Sequence, residues 1–151
     1  MDTRLQDRIT RYEMAVAFAR QMIEELGEAQ AYAILSRAFE KLQLENARQL
    51  QERLGSNSLA ALAAHCRKQA GELDNYEVLE ATDRHVALKI TRCVAYEAFA
   101  ALGLPEICRL YCDSDYSYIK AFNPDMKMIR TKTIAAGDAY CDHIWTLEDD
   151  K

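Results

Sequence analysis

The chain has 151 residues, half of them apolar, which is enough for one domain with a real core. Nineteen Lys and Arg against twenty-four Asp and Glu leave a net charge of −5, so no basic field draws in phosphates, and nucleic acid is not an expected partner. No apolar run approaches the roughly 20 residues of a bilayer span, the first residues lack the basic-then-apolar order of a secretory signal, and five cysteines are an odd number; free thiols and a cytoplasmic location are expected.

Leu5, Ile9, Tyr12, Val16, Ala19, Ile23 and Leu26 step by fours and threes, which predicts a helix that Gly27 can end. Tyr32, Leu35, Phe39 and Leu42 continue the spacing in a second helix that stops near Gly55. The regularity of the first stripe also suits a homodimer contact through these helices. Leu59, Leu62 and Cys66 mark a short third helix closing at Gly71.

The texture then changes. Val86, Leu88 and Ile90 alternate with polar or small residues around an Asp83-Arg84 turn, which reads as a β-hairpin. Two helical pieces follow, broken at Gly103 and restarted at Pro105. A second hairpin is expected over 126–148, with Arg130 and Lys132 alternating on one strand face and a turn before Asp138. The class is α+β: a helical N-terminal part over 1–73, then an antiparallel sheet of two β-hairpins with intervening helices over 74–151, in one domain of 1–151.

Several residues could carry chemistry. Cys108 and Cys112 lie one helical turn apart and can face one pocket. On the last strand Cys141, His143 and Trp145 share a face, with Asp142 and Ile144 on the other, and residues two apart stand roughly 6.6 Å from each other. A direct Cys141–His143 pair is therefore disfavoured, and buried packing is the alternative role for both. Asp138 can simply hold its own turn, and Asp113 and Asp115 can be surface carboxylates. Tyr111, Tyr116 and Tyr118 offer aromatic walls with hydroxyl handles, or a core edge. Cys108, Cys112, Cys141 and His143 are zinc-type ligands, but no Cys-x-x-Cys knuckle is present, so no metal and no other cofactor is expected.

Three stretches, "TRCVAYEAFAALGLPEI", "YCDSDYSY" and "FNPDMKMIRTKTIAAGDAYCDHIW", carry an Arg-Cys, a Glu on the following helix, a Leu-Gly-Leu-Pro-Glu break, a Cys-Asp, an Arg-Thr and a closing Gly-Asp-x-x-Cys-Asp. Over roughly Val86 to Trp145 this ordered set resembles the L-2-amino-thiazoline-4-carboxylic acid hydrolase family. The resemblance implies opening of a 2-aminothiazoline carboxylate ring to a carbamoyl-cysteine. Such chemistry needs a nucleophile for the amidine-like carbon, proton transfer to the leaving atoms, and a cation for the carboxylate. It points to Cys141 or Cys112 as nucleophile, Asp138, Asp142 and Asp113 as acid, base or orienting carboxylates, and His143 as proton shuttle. Arg130 would clamp the carboxylate, with Glu97, Cys93 and Tyr116 also at the substrate. The same C-terminal layout is similar to sensor domains of the vinyl-reductase (V4R) type, which leaves a non-catalytic small-molecule-binding module as the rival reading.

Overall fold

A computed structural model describes residues 2–73 and 75–148, with the side chains of 71–73 left aside. Two long helices open the chain, α1 (Thr3–Leu26) and α2 (Glu28–Leu54). The Asp2 carboxylate starts α1 by accepting from the N–H groups of Arg4 and Leu5 at 3.0 and 3.4 Å. Gly27 ends it at φ +80°, a left-handed conformation that other residues adopt only with strain, and α2 begins at the next residue. One glycine therefore makes the helical hairpin.

After α3 (Leu59–Leu73) come β1 (Tyr76–Ala81) and β2 (His85–Ile90), joined by the expected tight turn. Thr82 holds that turn, its hydroxyl oxygen accepting from the N–H groups of Arg84 and His85. Then α4 (Val94–Ala101), α5 (Glu106–Asp113) and α6 (Asp115–Phe122) run into β3 (Met126–Ile129) and β4 (Cys141–Leu147). The sheet is antiparallel throughout, in the order β1-β2-β4-β3. The α+β class and the four-stranded sheet thus agree with the sequence.

Two elements differ from expectation. The third helix runs past Gly71 to Leu73. The second hairpin has a shorter first arm and a longer connection than its sequence promises: β3 stops at Ile129, and Arg130 and Lys132 lie in the connection over 130–140 rather than on a strand face. The reason is side-chain capture of backbone donors. Asp142 accepts from the N–H groups of Thr131 and Lys132 at 2.7 and 2.6 Å, and Asp138 accepts from that of Thr133 at 2.8 Å. Those donors are then lost to a strand ladder.

The inner sheet face packs on α3, on the second half of α2 and on α6, with Val86, Leu88, Trp145, Met126 and Met128 meeting Leu50, Leu62, Ile119 and Phe122. A second apolar cluster joins α1, the first half of α2, α4 and α5, where Tyr12 stacks on Phe99 with ring centroids 4.6 Å apart. Gly103, at φ +79°, turns the chain from α4 back into α5, and Arg20 on α1 binds that turn through the Leu102 carbonyl at 2.7 Å. An apolar groove between α1 and α2 stays open, with Met14 70 % and Phe18 64 % exposed beside it or within it.

Burial sets the expected cost of substitution. Phe122→Ala, at a fully buried site, should lower unfolding free energy by about 3–5 kcal/mol. Phe18→Ser should change it by less than about 0.5 kcal/mol. Urea titrations of the two variants check the ranking; equal losses would contradict it.

Candidate functional site

Three of the five thiols meet. Cys93 sits at the N-terminus of α4, where its sulfur accepts from the N–H of Tyr96 at 3.3 Å. Cys108 is buried on α5, and its sulfur lies 3.8 Å from that of Cys112 one turn later. The neighbouring Cys108 thiol, with the N–H groups of α4, holds Cys93 below the usual thiol range. Cys112 is lowered for the same first reason, its contact with Cys108, while Cys108 itself is raised and keeps its proton. One thiol carries one hydrogen, so Cys108 supports one neighbouring thiolate at a time.

Cys141 is elsewhere in character. It is buried on the inner sheet face, accepts from the N–H of Ile134 at 3.2 Å and lies 3.6 Å from the Thr133 hydroxyl; burial pushes its thiol up. A raised thiol supplies little thiolate at neutral pH. Cys66 is pushed up to about 12 by burial. Among the described residues no group of three or more Cys, His, Asp or Glu is arranged to hold a metal ion.

Arg130 joins the last loop to the α5–α6 junction. Its side chain is only 5 % exposed. It donates to the Cys112 carbonyl and to Asp113, both at 2.7 Å, and lies 3.8 Å from Asp115 and over the Tyr116 ring. The guanidinium is thus occupied inside the protein, and Tyr116 is an exposed cover for it. Asp113 faces solvent with Arg109 as its second partner.

The remaining carboxylates divide cleanly. Burial alone would raise Asp142, but hydrogen bonds from Thr131 and Lys132 hold it below the usual carboxylate range. Asp138 keeps its turn role. Glu97 grips Arg92 through both oxygens at 2.7 and 2.6 Å. Asp115 accepts from the Gln43 amide at 3.1 Å, and burial pushes its carboxyl up to about 7. His143, on the inner face with Trp145, is driven down to about 4 by burial and by Arg130, so its imidazole is neutral at pH 7.

Cys93 opens on a pocket of about 350 Å³ between α1, the end of β2 and the start of α4. Arg4, Arg8, Arg11 and Arg92 line it together with Asp7; Arg92 is paired with Glu97 and Asp2, and Asp2 lies 3.9 Å from Arg4, so Arg8 and Arg11 carry most of the excess positive charge. Arg4, Arg8 and Arg11 repeat at the four-then-three spacing of a single helix face, a pattern visible in the sequence but read there only as helix. A pocket with a positive excess at a helix N-terminus is suited to an anionic group, and Cys93 lines it.

A family model built on the L-2-amino-thiazoline-4-carboxylic acid hydrolases matches residues 7–145. The chain belongs to that family. Membership in the L-2-amino-thiazoline-4-carboxylic acid hydrolase family extends well beyond the C-terminal motifs and takes in α1, with Arg8 and Arg11. Among curated proteins no sequence matches. Solved structures share the fold: the phenol-responsive sensory domain of the transcription activator PoxR, with phenol, is 10 % identical at a TM-score of 0.53, covering 87 % of this chain and 71 % of that one. A trafficking protein particle complex subunit 3 from Naegleria fowleri, covalently bound to palmitic acid, is 12 % identical at 0.55, covering 95 % and 96 %.

Asp115 and His143 give the stability a pH signature. Folded Asp115 holds a proton up to about 7 against an ordinary 3.8, so acidification through that window favours the native state. His143 titrates at about 4 against an ordinary 6.5, so acidification from 6.5 to 4 favours the unfolded state. The two slopes oppose each other. Asp115→Asn should therefore make Tm fall more steeply than in the wild type as pH drops from 6.5 to 4; parallel Tm curves would contradict the assignment.

Proposed function

We propose that the chain is a thiol-dependent hydrolase that opens a small cyclic amidine bearing a carboxylate, of the 2-aminothiazoline-4-carboxylate kind, with Cys93 as nucleophile. The observation that carries this reading is the Cys93 sulfur at the N-terminus of α4, accepting from the Tyr96 N–H at 3.3 Å beside the pocket that Arg4, Arg8 and Arg11 line. Family membership supports the hydrolytic class. The reducing interior of the cell suits it, because all five cysteines are free.

The chemistry follows from that placement. Arginines of α1 take the substrate carboxylate, which turns the ring carbon between nitrogen and sulfur toward Cys93. The thiolate attacks that carbon and a C–S bond to the protein forms. The ring C–S bond breaks, its sulfur leaving with one proton. Water then adds to the isothiourea carbon, the bond to Cys93 breaks, and the proton is returned as a carbamoyl-cysteine departs. Cys108, which keeps its proton, stabilises the thiolate before attack and again as it is released.

In this reading Cys112 is the second thiol of the cluster and Cys141 a packed strand residue. Arg130, Asp142 and Asp138 hold the walls rather than touch the substrate. A second reading, a sensor domain that binds a small molecule without turnover, is favoured by the likeness in fold to the phenol-responsive domain.

Turnover of the thiazoline ring, followed by release of free thiol, separates them. Cys93→Ser should lower kcat/KM by more than about a thousandfold. Cys141→Ser should stay within about threefold of the wild type, and Arg11→Ala should raise KM by about tenfold, or ~1.4 kcal/mol. Wild-type protein that is stabilised by the ring compound yet turns it over no faster than buffer would favour the sensor.

A further inference from the structure

A second cleft, of about 380 Å³, lies on the other side of the α5–α6 junction, between α2, α3 and α6 over the end of β4. It is separate from the arginine pocket: the two have no lining residue in common. Its character is also different. The charges on its wall are Arg53 and Asp115, of opposite sign, with His65 between the helices, so it offers no field for an ion.

Two residues of its wall carry unusual polar groups. Trp145 is buried, and its indole N–H has no hydrogen-bond partner, which is uncommon for a buried tryptophan. Asp115 presents a carboxyl held on one oxygen by Gln43, which donates to it at 3.1 Å and whose own oxygen accepts from Asn46 at 3.1 Å, while Arg130 lies 3.8 Å from the other oxygen. Each carboxyl oxygen has two lone pairs, so with one donor on the first and a guanidinium near the second the group keeps acceptor capacity. Tyr118 adds an aromatic wall. An indole donor and a carboxyl acceptor on one small cleft match a molecule that carries a carbonyl next to an N–H.

We infer that this cleft is a second small-molecule site, taking a small neutral ring with a carbonyl beside an N–H, a cyclic amide or ureide, whose carbonyl accepts from Trp145 and whose N–H donates to Asp115. The site stands apart from the hydrolytic reading and does not need Cys93. Asp115 also lies 3.8 Å from Arg130, which holds the Cys112 carbonyl, so a guest there adjoins the thiol cluster from behind.

Trp145 is the only tryptophan in the chain, so its emission reports on this cleft alone. Hydantoin, titrated into the full-length protein, should change that emission with saturation, and calorimetry should give the same Kd. Trp145→Phe, read by calorimetry, should weaken binding at least tenfold, and Cys93→Ala should leave it within twofold. If Trp145→Phe does not fold, the ligand side supplies the same test: 1,3-dimethylhydantoin, which has no N–H, should bind the wild type at least tenfold more weakly than hydantoin. A flat emission with both hydantoin and 2-pyrrolidinone overturns the inference. So does equal binding of the methylated probe, or loss of binding in Cys93→Ala, which would put the guest in the arginine pocket instead.

Discussion

A guanidinium withdrawn from water must have its donors satisfied, and Arg130 meets that demand by tying together parts of the chain that no regular element connects. Its partners are the Cys112 carbonyl at the end of α5, Asp113 beside it and Asp115 at the start of α6. Leaving such a group unpaired would cost several kcal/mol, so the loop after β3 has little freedom to lie anywhere else. Once that loop is placed, Asp142 and Asp138 take its backbone donors and Cys141 packs beneath it. Most of the family motif is thus spent on one scaffold, which fixes α5 and with it the Cys108 thiol.

What the scaffold presents is a graded set of thiols. Cys66 and Cys141 pay the desolvation of burial with nothing to offset it beyond weak contacts, and both are raised. Cys93 is also largely covered, yet a thiol donor and the first N–H groups of α4 outweigh that cost. The arginines of α1 then give the pocket in front of it a sign opposite to that of the chain as a whole. A protein of net charge −5 can hold an anion there because the field is local.

Much of this was legible in the sequence, for physical reasons that differ by element. The stripe through Val16 and Ala19, the face of Leu59, Leu62 and Cys66, and the first hairpin all follow simple periods, and each is found. The second half of α2 is less readable because two of its three buried positions, Gln43 and Ala47, are too polar or too small to mark a stripe and only Leu50 is large and apolar; Gln43 is buried where its amide donates to Asp115. That Cys141, His143 and Trp145 share a face was readable from strand alternation; that this face is the inner one was not. The end of β3 was not, since nothing local shows that two aspartates further on will claim its donors. The sequence also could not rank the five thiols, because that ranking depends on a contact between α4 and α5 and on the face of α1 that turns toward it.

The central claim is that Cys93 is the thiol ionised at neutral pH. Alkylation by iodoacetamide under limiting reagent, with the modified cysteine identified by mass spectrometry across a pH series, tests it most directly. The account predicts that Cys93 reacts first and that its rate rises at a pH well below the usual thiol range. First labelling at Cys141, or a rise for every cysteine only near 9, would contradict it.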